Sequence, residues 1–261
     1  MRSAVRTIAG LCVLAGGAPA ILNAQGAGPT GAAKWADSAR VAVETAFVSS
    51  DSARMSDALL LLDRALTVYP NDPFLLHYEG YALYRKGVNM NGRGKAGAAV
   101  VFEQARTALE KSIATKPIPE SYALLSSVLG NLIGSDPSLG MTLGPASAEA
   151  METAVSVGPT NPRVWLLRGQ SAFFTPEQWG GGIEVAEGYL KKARDLFAKD
   201  SPTPPLPRWG ASEVYVWLGQ VYQKQGKRED AAAAYTKALE IDPANVWVRR
   251  VLLPSVGKSG S

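Results

Sequence analysis

One cysteine and one histidine are all that 261 residues hold of the side chains most used for metal binding, disulfides and base catalysis. The cysteine, Cys12, sits in an apolar N-terminal run behind Leu11, not behind the small residue a lipoprotein acceptor wants. A chain cut beyond that run carries no thiol, which excludes disulfides and cysteine-ligated metals even in an oxidising compartment. No H-E-x-x-H or G-x-S-x-G pattern occurs, so any Ser-His or His-metal chemistry would have to use His77, for which a packed or groove-lining imidazole is the expectation. Charge of one sign is missing as a block. The 27 basic and 23 acidic residues are interspersed, and no basic stripe with interleaved aromatics points to nucleic acid. Glu110, Glu120, Glu149 and Glu152 read as solvated helix positions. The reading is non-catalytic, with no cofactor and no metal.

What is present begins with a targeting pattern. Arg2 and Arg6 precede an apolar, small-residue run from Thr7 to Leu22, followed by Asn23, Ala24 and Gln25. That is the layout of a secretory signal peptide. The run is shorter than the roughly 20 apolar residues that span a bilayer, and Gly16, Gly17 and Pro19 interrupt it. We expect residues 1–24 to be removed, with Ala18-Pro19-Ala20 as a second site and a retained anchor as the alternative, so that no stable membrane insertion survives cleavage. The implied location is periplasmic or secreted. Loss of both arginines takes the net charge from +4 to +2. QGAGPTGAAK opens a flexible leader over 25–38, with too little apolar surface to pack.

Near the C-terminus the spacing turns regular. Tyr215, Leu218, Gly219 and Tyr222 precede Gly226, and Ala231, Tyr235, Ala238 and Pro243 follow it. Steps of three and four in two blocks mean two amphipathic helices joined at Gly226. This resembles a tetratricopeptide repeat of the exported bacterial type: a large aromatic, Leu-Gly, Tyr, Ala, an aromatic and Pro stand in the order of that 34-residue unit. Gly219 and Ala231 suit the closest approach of the two helices, and Pro243 stops the second. The same ruler fits Ala58, Ala65 and Pro70, and Gly80 follows Pro70 as Gly169 follows Pro159. We read repeats at 39–72, 73–119, 120–161, 162–200 and 212–245, the Pro-rich spacer SPTPPLPRWGA before the last, a capping helix over 246–253 and a flexible tail over 254–261. The resemblance implies an all-α, right-handed superhelical solenoid of about five helical hairpins.

Three repeats depart from the unit. Gly219 to Ala231 is 12 residues, but Gly80 to Ala105 is 25, Ser127 to Ser147 is 20 and Gly169 to Ala186 is 17. The excess falls between first and second helices, giving enlarged turns at 87–99, 130–142 and 175–182 that would gather on one edge. In TPEQWGGG, Thr175 can cap, Pro176 suits a first helical position, Gln178 completes a capping box, and Gly180 to Gly182 let the chain reverse. A phosphate loop would want a preceding strand and a Lys-Ser/Thr pair, and neither is here. Trp179 is the anchor expected on this edge, or else the seal of its own hairpin.

The resemblance further implies a concave surface lined by first-helix side chains. These are Phe74, His77, Tyr81, Tyr84 and Arg85 in repeat two, Arg163, Gln170, Phe173 and Phe174 in repeat four, and Gln220, Gln223 and Lys224 in repeat five. Aromatics with Arg and Gln suit a protein or peptide partner, though each aromatic could equally be buried between repeats. The implied function is a scaffold, with an accessory subunit of a TRAP-type solute transporter as the alternative. Partner identity and oligomeric state are not written in these residues.

Overall fold

The structure, a computed structural model, describes residues 31–257; the signal-peptide reading and the first part of the leader lie outside the described residues. Ten helices pair into five hairpins: α1 (Gly31–Val48) with α2 (Ser52–Val68), α3 (Pro73–Gly92) with α4 (Ala98–Thr115), α5 (Pro119–Ser135) with α6 (Gly140–Val157), α7 (Pro162–Phe174) with α8 (Ile183–Phe197), and α9 (Glu213–Lys224) with α10 (Arg228–Ile241). A short π-turn, Val248–Leu252, and α11 (Leu253–Gly257) close the far end. First helices pack on first helices down the stack, α1 on α3, α3 on α5 and α5 on α7, and each second helix packs on the next first helix. The result is an all-α solenoid with no strand among the described residues.

Local chemistry explains the joints. Pro73, Pro119 and Pro162 each start a first helix, where a missing N–H costs nothing. Asp72 accepts hydrogen bonds from the N–H groups of Phe74 and Leu75, and Asn161 from that of Arg163. Within hairpins the small residues sit at the crossings. A Cβ on Gly80 would meet Leu109 at 2.5 Å and one on Gly169 would meet Leu190 at 2.6 Å, while Gly219 lies against the Tyr235 ring. Alanines 105, 186 and 231 face them, fully buried.

Three boundaries differ from the sequence reading. The leader is not flexible as far as residue 38: α1 starts at Gly31, because Ala32, Ala33, Ala36 and Ala39 form a buried stripe that packs as helix despite its small side chains. The tail likewise is helical to Gly257. Two of the enlarged turns are mostly extra helix. α3 runs 20 residues and α4 18, where α9 and α10 run 12 and 14, so only 93–97 is a loop there. Residues 130–135 belong to α5 and 140–142 to α6, leaving a 3-10 turn, Pro137–Leu139, between them.

Candidate functional site

TPEQWGGG is a true turn. Thr175 ends α7, and its hydroxyl donates back to Ser171 O at 2.9 Å rather than capping forward, so the expected capping box is absent. Pro176 leads a 3-10 turn, Glu177–Trp179. Gly180 and Gly182 follow at φ +79° and +105°, a region side chains rarely adopt. Trp179 is 77% exposed at its tip, so it seals no core. Beside it Phe174, 72% exposed, stands edge-on to Phe173 at 5.1 Å and to Trp217 of α9 at 5.6 Å. Met141, in the first turn of α6 in the preceding hairpin, is 91% exposed. These are the three most exposed large apolar side chains among the described residues, and all lie at the first-to-second-helix joints of hairpins three and four.

The concave side is different. Phe74, His77, Tyr81, Tyr84, Arg85, Arg163 and Gln170 are buried, not open to solvent; of the expected lining only Phe174, Gln223 and Lys224 are exposed, with Phe173 and Gln220 between. Gln223 is engaged by its own hairpin and by the C-terminal cap: it accepts from Tyr235 OH of α10 at 3.0 Å and donates to Ser255 Oγ of α11 at 3.1 Å. The cover over hairpins one to four is the chain's own connection between α8 and α9, residues 198–212. Trp209, 2% exposed, stacks on Tyr81 with centroids 4.8 Å apart and planes 16° from parallel. Arg208 pairs with Asp37 of α1, Tyr78 OH donates to Leu206 O at 3.4 Å, and Arg163 pairs with Asp200 at 2.5 Å. Burial alone would raise Asp37, but hydrogen bonds from Arg208 and Arg40 outweigh it and hold its carboxyl below the usual range.

Arg85 knits groove and cover together. Its guanidinium lies 4.1 Å from the Phe47 ring centre, 4.8 Å from that of Tyr81 and 5.8 Å from that of Trp209. It donates to Tyr81 OH at 3.0 Å and pairs with Glu213 at the start of α9. Glu44 completes this polar seam. It accepts from Arg40 at 3.1 Å, has one carboxylate oxygen without a partner, and is pushed up to about 6 by burial.

His77 is packed, as expected. Ser112 Oγ donates to Pro73 O at 2.9 Å, which leaves it to accept from Ser121 Oγ at 3.0 Å. Ser121, having given its one proton, accepts from His77 Nδ1–H at 2.9 Å. Nδ1 is therefore a donor and cannot serve Ser121 as a base. Burial, then the charge of Arg163, pushes His77 down to about 3. Glu120 corrects the solvated reading: it is buried and accepts from Asn161 Nδ2 at 2.7 Å, and burial raises its carboxyl. It edges a cavity of about 410 Å³ beneath the connection, with Phe74, Lys116, Arg163, Asp200 and Leu206.

The sequence reading missed Trp209, Arg208, Asp37 and Glu213. The available signal was a tryptophan and a leucine in a spacer otherwise made of proline and polar residues, where a large apolar ring has no reason to be unless it is buried.

Paired helices stacked around a concave face define a helical-repeat scaffold. Residues 212–245 match the family model described as "Tetratricopeptide repeat", and the hairpins stacked before them share that repeat's solenoid fold. The chain is similar to TTC0263, a thermophilic TPR protein of Thermus thermophilus, at 23% identity and TM-score 0.60 over 85% of this chain and 98% of that one. It is also similar to the HusA haemophore of Porphyromonas gingivalis, at 21% identity and TM-score 0.62 over 75% of this chain and 94% of that one. Likeness at this identity speaks for the fold alone. No curated protein matches the chain.

Proposed function

We propose that the protein is an exported, periplasmic, non-catalytic scaffold that holds a protein or peptide partner on the turn edge of hairpins three and four. One observation supports this reading: the three most exposed large apolar side chains among the described residues, Met141, Phe174 and Trp179, all stand at the joints between first and second helices of the adjacent hairpins three and four. Large aromatics held out by a rigid turn are the residues that most often dominate binding energy, and clustered apolar exposure marks interaction surfaces. The alternative, a transporter accessory subunit, would want a closed apolar pocket. The cavity of about 410 Å³ beneath the connection mixes Phe74, Ile118, Val157 and Leu206 with Lys116, Glu120, Arg163 and Asp200, so it is not a purely apolar pocket.

The test is a photo-crosslinking residue placed at position 179 in cells, with the same residue at exposed position 237 of α10 as control. A single partner is expected from 179 and not from 237, and Phe174→Ala should remove it. Equal capture at both positions, or none, would overturn the edge. Trp179→Ala should change stability by less than about 0.5 kcal/mol in urea unfolding, since its ring is solvated. Finding the chain in the cytosol with residues 1–24 intact would refute export.

A further inference from the structure

Fifteen residues, 198–212, join α8 to α9, where four, three and four residues join the earlier hairpins. α8 and α9 nevertheless pack directly on each other. The length is therefore not needed to bridge them, and the surplus enters the groove and returns. Between Ser201 and Trp209 the only backbone-to-backbone hydrogen bond among the described residues is Leu206 N–H to Thr203 O at 3.0 Å. Pro202, Pro204, Pro205 and Pro207 have no N–H to give. Side chains seat the segment: Trp209 on Tyr81, Arg208 on Asp37, Asp200 on Arg163, with Tyr78 OH on a single carbonyl. Its prolines leave the segment little conformational freedom to lose on docking, as in the proline-rich ligands of aromatic grooves, and the Leu206 to Thr203 bond closes a turn within it.

We propose that residues 200–213 are an internal ligand of the concave groove, and that the groove, once vacated, takes in trans a proline-rich peptide carrying an Arg-Trp pair. Each element of that chemistry has a receiver in the groove. Asp37 takes the guanidinium, the Tyr81 face takes the indole, and Arg163 and Arg85 take the acidic residues on either side, as they take Asp200 and Glu213. Gly210, at φ +100° and placed where a Cβ would run into Leu166 and Phe197, turns the chain out again toward α9. Because α8 and α9 hold each other, the segment leaves the groove without any hairpin separating. The tethered copy competes at high effective concentration, so an outside peptide meets a site that is mostly closed, and its apparent affinity falls by the closed fraction. The groove does not include Trp179, so the turn-edge reading and this one stand or fall separately.

The probe is a fluorescein-labelled peptide, DSPTPPLPRWGASE, titrated by anisotropy against the full chain. Trp209→Ala and Arg208→Ala should each bind it at least about tenfold more tightly than the unaltered protein. Adding Asp37→Asn to Arg208→Ala, or replacing the peptide's tryptophan by alanine, should remove the gain. Should Trp209→Ala fail to fold, Arg208→Ala, whose side chain is partly solvated, carries the comparison. In the unaltered protein, hydrogen exchange at the amides of 203, 206, 208 and 209 should run at least about 100-fold faster than in α3, as for a segment that opens locally. No gain in a folded Arg208→Ala protein, or exchange as slow as that of α3, would overturn the proposal.

Discussion

Arg85→Ala should destabilise the protein by about 3–5 kcal/mol, the cost of breaking a buried ion pair from one side. Arg85 sits on α3 with its charge enclosed by Phe47, Tyr81, Tyr84 and Trp209, and Glu213 answers it from α9. Burial alone would lower its pKa; Glu213 and the two tyrosines reverse that and hold it above the ordinary arginine value, so it stays charged at any working pH. Removing the guanidinium strands Glu213, whose side chain is only 13% exposed, and takes the donor from Tyr81 OH. The loss is therefore not the worth of the pair but the penalty on what remains. The control separates the two. Arg85→Met with Glu213→Leu removes both charges and fills the space, and should return most of the lost stability. Urea midpoints with unchanged m-values are the readout. A loss below about 1 kcal/mol for Arg85→Ala would mean that the pair is solvated and the groove is open.

How much of this was legible follows from which interactions are local. The last hairpin was readable because Gly219, Ala231 and Tyr235 meet at fixed helical offsets, and Gly80 and Gly169 repeat the close approach. The 3-10 turn before Gly180 was readable because Pro176 and the glycines set backbone angles by themselves. The extent of α1 was not, since Ala32, Ala33 and Ala36 carry little apolar surface in sequence and gain their burial only from neighbouring elements. GVNMNG and GNLIGS read as loop because they contain glycine and asparagine, weak helix formers, yet both continue the helices before them, α3 and α5. The closed groove was beyond reach for a plainer reason. Asp37 and Arg208 are 171 positions apart, as Arg85 and Glu213 are 128 apart, and no local spacing encodes such pairs.

The remaining large effect is on the pH axis, where the buried His77 and the half-buried Glu44 oppose each other. His77 is held down to about 3 in the fold against 6.5 when free, so the unfolded chain binds its proton first. Its contribution to stability is complete above pH 6.5 and is withdrawn as pH falls toward 3. Between pH 7 and 5 that withdrawal is about 2 kcal/mol. Glu44 has the reverse sign. Held up to about 6 against 4.5, it binds its proton in the fold first, and adds about 1 kcal/mol as pH drops over the same range. The unaltered protein should therefore lose only about 1 kcal/mol from pH 7 to pH 5 through this pair. Substitution pulls the terms apart. His77→Gln, which keeps a donor for Ser121, should leave the Glu44 term alone and make the protein slightly more stable at pH 5 than at pH 7. Glu44→Gln should steepen the acid loss to about 2 kcal/mol. Asp37, held low by its arginines, and Glu79 and Glu120, raised by burial, titrate alike in all three proteins and cancel in the comparison. Parallel slopes for the unaltered protein and His77→Gln would mean that the imidazole reaches water in the native state, and that the hydrogen-bond chain through Ser121 and Ser112 does not seal it.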